Sequence, residues 1–341
     1  MTMGGTAWSS DAATKRSPPT EALIPCSVAV IITVYNKSQF VRACIESVLA
    51  QSHRAVEIVV VDDGSTDGSW DVVEAATAGS GATVVRLTNG GVSRARNLGL
   101  ESCRTRPDYL VFLDGDDVLL PDALHTMVAH MEVNVAAAMC YSVPILIDDV
   151  GAVIGVDTDQ VRWARTRLGR RRMRDEELET PLEAIWSHFR AMPSASLVRR
   201  TSYEHTDGWD PSLCRPAQPF QAEDKDMAIQ LALSGLVHRL PTPMIQYRVL
   251  PTVHRQALYE GLLAVDRKWW NAPLCAEDRR RVRRAIRFDS FVVMMDAGVV
   301  LWRSCRSRSV GDAVRAGRRL CRAALRLVCL PIRLRRERVG D

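Results

Sequence analysis

No apolar run in this 341-residue chain reaches the roughly 18–20 residues that cross a bilayer. The longest candidate, Phe291 to Trp302, is interrupted by Asp296. Nor does the chain open on a basic stretch followed by an apolar one, so a secretory leader is not expected. The nine Cys are odd in number, scattered, and nowhere form CxxC. That fits reduced thiols in a cytoplasmic setting better than a disulfide framework or a zinc site. Histidine is also sparse. His53, His125, His130, His188, His205 and His238 have no paired ligand spacing, so they read as structural or surface residues. No internal repeat is visible, and no aromatic interleaving accompanies the basic stretches, so nucleic acid is not an expected partner.

What is present is ordinary in bulk and uneven in detail. An apolar fraction of 47% and a charged fraction of 25% describe a globular protein long enough for one large domain or two. The net charge of +5 conceals an asymmetry. From Arg255 onward there are 21 Lys and Arg against 9 Asp and Glu, which leaves the preceding part acidic. In the tail, Val310, Val314, Cys321, Leu325 and Val328 share one helical face, and Arg315, Arg318, Arg319, Arg322 and Arg326 share another. Such a face is expected to meet an anionic surface, here a membrane contacted peripherally by basic C-terminal helices.

Chemistry is concentrated at the ends of apolar runs. Glu57 to Val61 leads into Asp62-Asp63, and Tyr109 to Leu113 leads into Asp114-Gly115-Asp116-Asp117. Short β-branched runs of this kind read as buried parallel strands, and open α/β sheets bind ligands at the carboxyl ends of their strands. Three carboxylates within four residues repel one another and are tolerable when exposed or when a cation sits among them, an arrangement that suggests a divalent metal and a phosphorylated ligand. Further strands are expected at 28–34 and 83–87, with helices at about 40–49, 69–78 and 92–102, and another opening at Pro121. Asn36 or Ser38 is the expected cap of the first helix. The alternation predicts a doubly wound, mainly parallel α/β sheet. Ala136 to Ile147 has room for one or two strands, and Met227 to Ser234 reads as a short helix. Residues 1–24 read as disordered, and Arg162 to Arg174 as an exposed basic loop.

Four strings occur in order: Val30-Ile31-Ile32-Thr33-Val34-Tyr35-Asn36, Val59 to Ser69 with its Asp-Asp-Gly-Ser-Thr-Asp-Gly core, Asn89-Gly90-Gly91-Val92-Ser93 running to Asn97 and Gly99, and Phe112 to Asp117. Together with Asp207-Gly208-Trp209-Asp210, Ala222 to Met227 and Tyr247-Arg248, they resemble the family 2 glycosyltransferases of the GT-A fold, over about residues 27–250. The resemblance implies a GT-A domain at 25–254, divided into a nucleotide-binding half (25–135) and an acceptor-binding half (136–254). A basic helical extension at 255–341 would follow. It implies inverting transfer of a sugar from a nucleotide sugar, UDP-linked by expectation, to a hydroxyl on a glycan or lipid-linked acceptor. Mn²⁺ or Mg²⁺ would assist. The Arg- and Ala-rich composition suggests a bacterial setting in cell-envelope or exopolysaccharide assembly, at the inner face of the plasma membrane.

The resemblance also distributes roles. Asp114-Gly115-Asp116 has the DxD form, with Asp116 the principal metal ligand and Asp114 on the ribose or the metal. Asp117 would assist. Asp63 would accept a hydrogen bond from the base, with Thr33 and Tyr35 lining the same pocket, and Arg96 and Asn97 would contact the nucleotide. Asp224 would be the general base and Glu223 would shape the acceptor site. A rival reading of Asp224 is simple capping of a helix N-terminus, and Asp226 reads as structural. The family often places a His two residues after Tyr247-Arg248. Here that position is Leu250, so Arg248, His254 and Arg255 become candidates for its role. Asp63 to Glu74 partly fits a calcium-binding EF-hand loop, but a strand rather than a helix precedes it. Two other classes stay open, a GT-A-like nucleotidyltransferase and a non-catalytic scaffold. The first would usually carry a Gly-rich phosphate loop where Thr33-Val34-Tyr35-Asn36 stands.

Overall fold

The computed structural model describes residues 26–53, 56–156, 179, 180, 182, 185, 192–214, 222–250 and 264–287. The N-terminal segment read as disordered, the basic 162–174 loop, His254, Arg255 and the Arg face of the tail lie outside these residues. Among the described residues no helix is long and apolar enough to cross a membrane.

Val28–Val34 (β1) is buried at every position, as a central strand covered on both faces must be. It pairs in parallel with Val56–Asp62 (β2) on one side and Tyr109–Asp114 (β4) on the other. Thr83–Arg86 (β3) extends the sheet beyond β2. Beyond β4 come Ser196–Arg199 (β9), Ala137–Ser142 (β6) and Leu236–Leu240 (β10). The order is β10-β6-β9-β4-β1-β2-β3, and β9 alone runs antiparallel to its neighbours. The sheet is thus mainly parallel, as the alternation predicted. A smaller sheet joins Val118–Leu119 (β5), Ile145–Ile147 (β7), Val153–Val156 (β8) and Ile245–Arg248 (β11) in the order β5-β11-β7-β8.

Alternation along β1 divides the core. Val28, Val30, Ile32 and Val34 face Val41–Leu49 (α1), Ser69–Thr77 (α2) and Ala123–Val133 (α4). Ala29 and Ile31 face the other layer, with Leu110 and Phe112. That layer holds the short Arg200–Tyr203 (α5), Glu223–Ser234 (α6) and two later helices at 264–271 (α7) and 276–287 (α8). Val265, Trp269, Val282, Ala285 and Ile286 bury in the same cluster as Met227, Ile229 and Leu231 of α6. These two helices therefore brace the helix that carries the predicted base.

Two local expectations change. α1 is capped by neither Asn36 nor Ser38: its N-cap is Phe40, without a side-chain bond. Asn36 sits at φ 52, in the left-handed region that Asn tolerates, and its side chain accepts from Thr66 N instead. The backbone carbonyl of Lys37 takes the amides of Phe40 and Val41, both at 2.9 Å. α6 starts at Glu223 rather than Met227, so Asp224 lies inside its first turn.

Val92–Glu101 (α3) lies directly on β1 and β2, and Gly99 permits that approach. A Cβ there would stand 2.3 Å from Ile31 Cγ2 and 3.2 Å from Val61 Cγ2. Gly99→Ala is expected to destabilise the fold by about 1–3 kcal/mol through overpacking, despite alanine's better helix propensity. Urea denaturation reads this as a lowered midpoint. An unchanged midpoint would mean that α3 has room to lift away from the sheet.

Candidate active site

β1 lies where the sheet order reverses, with β2 on one side and β4 on the other, so a crevice opens at their carboxyl ends. The register sets Thr33 beside Asp114 and Val34 beside Asp62. Thr33 Oγ1 donates to Asp114 Oδ1 at 3.3 Å. Tyr35, two residues on, leaves 46% of its surface exposed, an open aromatic face at the crevice edge. Asp62 is spent locally: its Oδ1 accepts from Ser65 N at 2.8 Å. Asp63 is also committed, since its two oxygens accept from Gly90 N and Gly91 N, each at 2.8 Å. Burial raises its pKa, and the two amides oppose that. Asp63 therefore staples the Asn89-Gly90-Gly91 turn to the end of β2.

The acidic loop folds tightly after β4. Gly115 N donates to Thr33 O at 2.9 Å, and Asp117 N to Asp114 O at 3.0 Å. Asp117 is 1% exposed and accepts from Arg248 N at 3.0 Å. Burial, and then the charges of Asp116 and Asp114, hold its carboxyl well above the usual range. It therefore faces the scaffold, contrary to the expectation that it assists at the metal. Arg248 ties the loop to β11: its Nε donates to Asp116 O at 3.1 Å, and Nη1 to Asp148 O at 2.6 Å. The guanidinium also stacks 4.4 Å from the Phe40 ring. Arg248 shapes the acidic loop through the backbone. Asp116 keeps only 13% of its side chain exposed and forms an ion pair with Lys37.

Arg96 joins the two acidic clusters. It is 2% exposed, in the second turn of α3, and it lies over the Trp209 ring at 4.3 Å. Nη2 donates to Asp114 Oδ1 at 3.0 Å, while Nη1 donates to Asp224 Oδ1 at 2.9 Å and Glu223 Oε1 at 3.2 Å. Glu223 is buried, and burial followed by the neighbouring Asp224 charge pushes its carboxyl well above the usual range, with Arg96 opposing. Asp224 keeps 40% of its side chain exposed, so it can meet a second molecule. The protein packed around the crevice still strips most water from its carboxyl and raises its pKa, against the pull of Arg96.

Asn97 turns the other way. Its Nδ2 donates to Trp209 O at 2.8 Å, and its Oδ1 accepts from Trp209 N at 3.1 Å. Both ends of the amide hold the Trp209 backbone, so Asn97 fixes the ring beneath Arg96 and does not face the nucleotide crevice. Asp226 is structural: buried, it accepts from Lys268 Nζ at 2.8 Å, Trp269 Nε1 at 2.7 Å and Gln230 Nε2 at 2.9 Å. Lys268 also reaches Asp210 at 2.9 Å, so α7 is tied both to the first turn of α6, through Asp226, and to the Asp207-to-Asp210 segment. Sequence reasoning missed Lys37, Trp209, Lys268 and Trp269 as site-building residues. Trp209 had a signal, since it stands in one of the quoted motifs. The other three carry no local pattern.

The crevice thus gathers Asp114, Asp116, Asp117, Glu223 and Asp224 against Lys37, Arg96 and Arg248. Carboxylates outnumber cations, and the exposed members offer hard oxygen donors. Among the described residues no group of three or more His, Cys, Asp or Glu forms a cage for a metal. A Mg²⁺-like ion needs no cage, because one or two carboxylates plus substrate phosphates suffice. Asp116 and Asp114 fit that requirement. The turn at 63–74 does not form a calcium loop. Asp67 accepts from Ser38 N and Ser69 N, both at 3.0 Å, and Asp63 from the glycine turn.

The model of a family described as "Glycosyl transferase family 2" matches residues 29–206. The "Putative glycosyltransferase EpsH" of Bacillus subtilis (strain 168) is 24% identical over 303 residues, 85% of this chain and 81% of that protein. "Glycosyltransferase GlyA" of Streptococcus pneumoniae serotype 4 is 32% identical over 124 residues, 35% of this chain but 18% of that protein. Among solved structures, S. aureus TarS 1-349 in complex with UDP superposes with a TM-score of 0.54 at 18% identity, over 77% of this chain and 70% of that one. The mannosyltransferase PcManGT from Pyrobaculum calidifontis, in complex with GDP-Man and Mn²⁺, gives 0.55 at 16% identity, over 89% and 87%. At these identities the structural likeness is one of fold.

Proposed function

The chain belongs to glycosyl transferase family 2 and is a glycosyltransferase with a role in glycan synthesis, and from that premise we propose a single-displacement, inverting transfer that depends on a divalent cation. The donor is a nucleoside diphosphate sugar, UDP-linked in our reading, and the acceptor is a hydroxyl of a glycan or lipid-linked glycan. Residues 25–254 form the catalytic unit, and α7 and α8 of the 255–341 extension brace it.

One observation carries the reading. A single guanidinium, Arg96, bonds both Asp114 and Asp224, which stand 110 residues apart in the chain. The carboxylate assigned to the donor side and the one assigned to the acceptor side therefore share one crevice. On the donor side, Tyr35 offers a ring for the base to stack on, Asp63 and Thr33 frame the nucleoside, and Asp116 with Asp114 would hold the cation. When bound, Mn²⁺ or Mg²⁺ would neutralise charge growing on the departing diphosphate. On the acceptor side, Asp224 accepts the hydroxyl proton as the oxygen attacks the anomeric carbon and the bond to the diphosphate oxygen breaks. Burial and the neighbouring Asp224 charge hold the Glu223 carboxyl well above the usual range, so it competes less than Asp114 and Asp224 for the Arg96 charge. In this way one arginine orients the base and the donor-side loop together.

Calorimetric titration of UDP, GDP and dTDP, with and without Mn²⁺, tests this. We expect Mn²⁺-dependent binding of UDP, weakened at least about tenfold by Asp116→Ala, in line with typical coupling between linked sites. If the folded protein bound none of the three, the chain would be a non-catalytic relative. Tighter binding of GDP would keep the mechanism and change the donor.

A further inference from the structure

The turn after β1 is pinned to the turn after β2 by four hydrogen bonds from three consecutive residues. Asn36 N donates to Ser65 Oγ at 2.9 Å, and Asn36 Oδ1 accepts from Thr66 N at 2.9 Å. Lys37 N donates to Ser69 Oγ at 2.8 Å, and Ser38 N to Asp67 Oδ2 at 3.0 Å. Their partners are themselves fixed, Ser65 N on Asp62 at 2.8 Å and Ser69 N on Asp67 at 3.0 Å. Asn36 is also the one described non-glycine residue with positive φ. So many local restraints on three residues set the direction of one side chain. The Lys37 ammonium crosses to the acidic loop after β4 and pairs with Asp116, 79 residues away.

We propose that Lys37 is a resident cation on Asp116, displaced onto the donor's diphosphate when the divalent ion enters, so that metal and nucleotide bind together rather than the metal first. The proposal rests on the reading of Asp116 as metal ligand. An ammonium and a divalent ion on one nearly buried carboxylate repel strongly, since the site lacks the screening of bulk water. Metal alone must therefore expel Lys37 into a crevice whose other exposed carboxylates, Asp114 and Asp224, are already bonded to Arg96. A diphosphate changes the balance because it brings negative charge of its own, giving the ammonium a new partner while Asp116 turns to the metal. Linkage makes the effect reciprocal: the factor by which nucleotide strengthens metal binding equals the factor by which metal strengthens nucleotide binding. Lys37 raises that factor by weakening the metal-only state. A lysine suits the task because its ammonium is a compact charge on a flexible stem that can swing between two anions.

Mn²⁺ binding followed by electron paramagnetic resonance, without and with UDP or GDP, tests the idea without reference to turnover. Lys37→Met is expected to bind Mn²⁺ alone about tenfold more tightly than the unchanged protein, within the usual range of coupling. The gain conferred by nucleotide should shrink correspondingly. Lys37→Arg, which keeps the charge, should resemble the unchanged protein. Adding Asp116→Asn to Lys37→Met should erase the extra affinity and so locate it at Asp116. Circular dichroism confirms that each variant is folded. Unchanged or weaker Mn²⁺ affinity in folded Lys37→Met overturns the role of Lys37 alone, provided the unchanged protein binds Mn²⁺ with nucleotide. If the unchanged protein binds no Mn²⁺ even with nucleotide, the metal-dependent reading falls and the role of Lys37 falls with it.

Discussion

Asp224→Asn is expected to lower the rate of transfer by about 10²–10⁴-fold, the usual worth of a general base, while donor affinity stays within about twofold. The asparagine oxygen can still accept from Arg96 Nη1, now at 2.9 Å from Asp224 Oδ1, so the crevice keeps its shape. What is lost is the ability to take a proton. The pH dependence adds a second signature. Burial raises the Asp224 pKa, and the active form is the charged one. The acid limb of kcat/KM should therefore lie above the ordinary carboxylate range and vanish from the residual activity of the variant. The same shift has a cost in stability. A raised folded-state pKa means that the folded protein binds more protons than the unfolded chain between the two pKa values. Stability then falls as pH rises from the ordinary carboxylate range through the folded value. Glu223 and Asp117 are shifted in the same direction, again chiefly by burial. Asp224→Asn removes one of these contributions, so its thermal midpoint should exceed that of the unchanged protein at pH 8 and the two should converge near pH 4. Undiminished turnover would remove Asp224 as the base. Lost donor binding in a folded variant would make it a donor-site residue.

The strand ends could be read from sequence because burial leaves a pattern there: β1, β2 and β4 are apolar runs that end at Val34, Asp62 and Asp114. The same physics identified the acidic loop, since clustered carboxylates after a buried strand need a reason. Pairings across the chain leave no such trace. Nothing local announces that Lys37 meets Asp116, or that Lys268 and Trp269 meet Asp226. The start of α6 was placed too late because Glu223, Asp224, Lys225 and Asp226 look like a solvated segment. Three of the four are in fact buried, with Glu223 bonded to Arg96 of α3 and Asp226 to Lys268 and Trp269 of α7. Asn97 misleads for a related reason. A polar residue beside an active-site arginine suggests ligand contact, yet its amide is consumed in holding Trp209.

Removing the Arg96 guanidinium should have the largest effect on the fold itself. Arg96→Met leaves a side chain of similar reach over Trp209 but strands Asp114, Glu223 and Asp224 without their shared counter-ion. Breaking a buried ion pair from one side typically costs about 3–5 kcal/mol, because the remaining charge stays desolvated. That is a large part of the stability of an ordinary domain, so the variant should unfold at a much lower urea concentration and lose donor binding as well. Part of the cost can be relieved if the carboxylates take up protons, so the deficit should be smaller at pH 5 than at pH 8. Arg96→Lys separates charge from geometry. One ammonium restores the counter-ion but cannot hold Asp114 through one nitrogen and Asp224 through another while lying flat on an indole. It should therefore recover most of the stability and little of the activity. Misplacing reacting groups by about 1 Å can cost on the order of 10²-fold, and the lysine variant should fall by that much in kcat. If the lysine variant were fully active, Arg96 would act by charge alone, and the two-armed bridge between donor and acceptor sides would have no catalytic role. If the methionine variant were as stable at pH 8 as the unchanged protein, the three carboxylates would not depend on Arg96, and the bridge that joins the two halves of the site would be wrong.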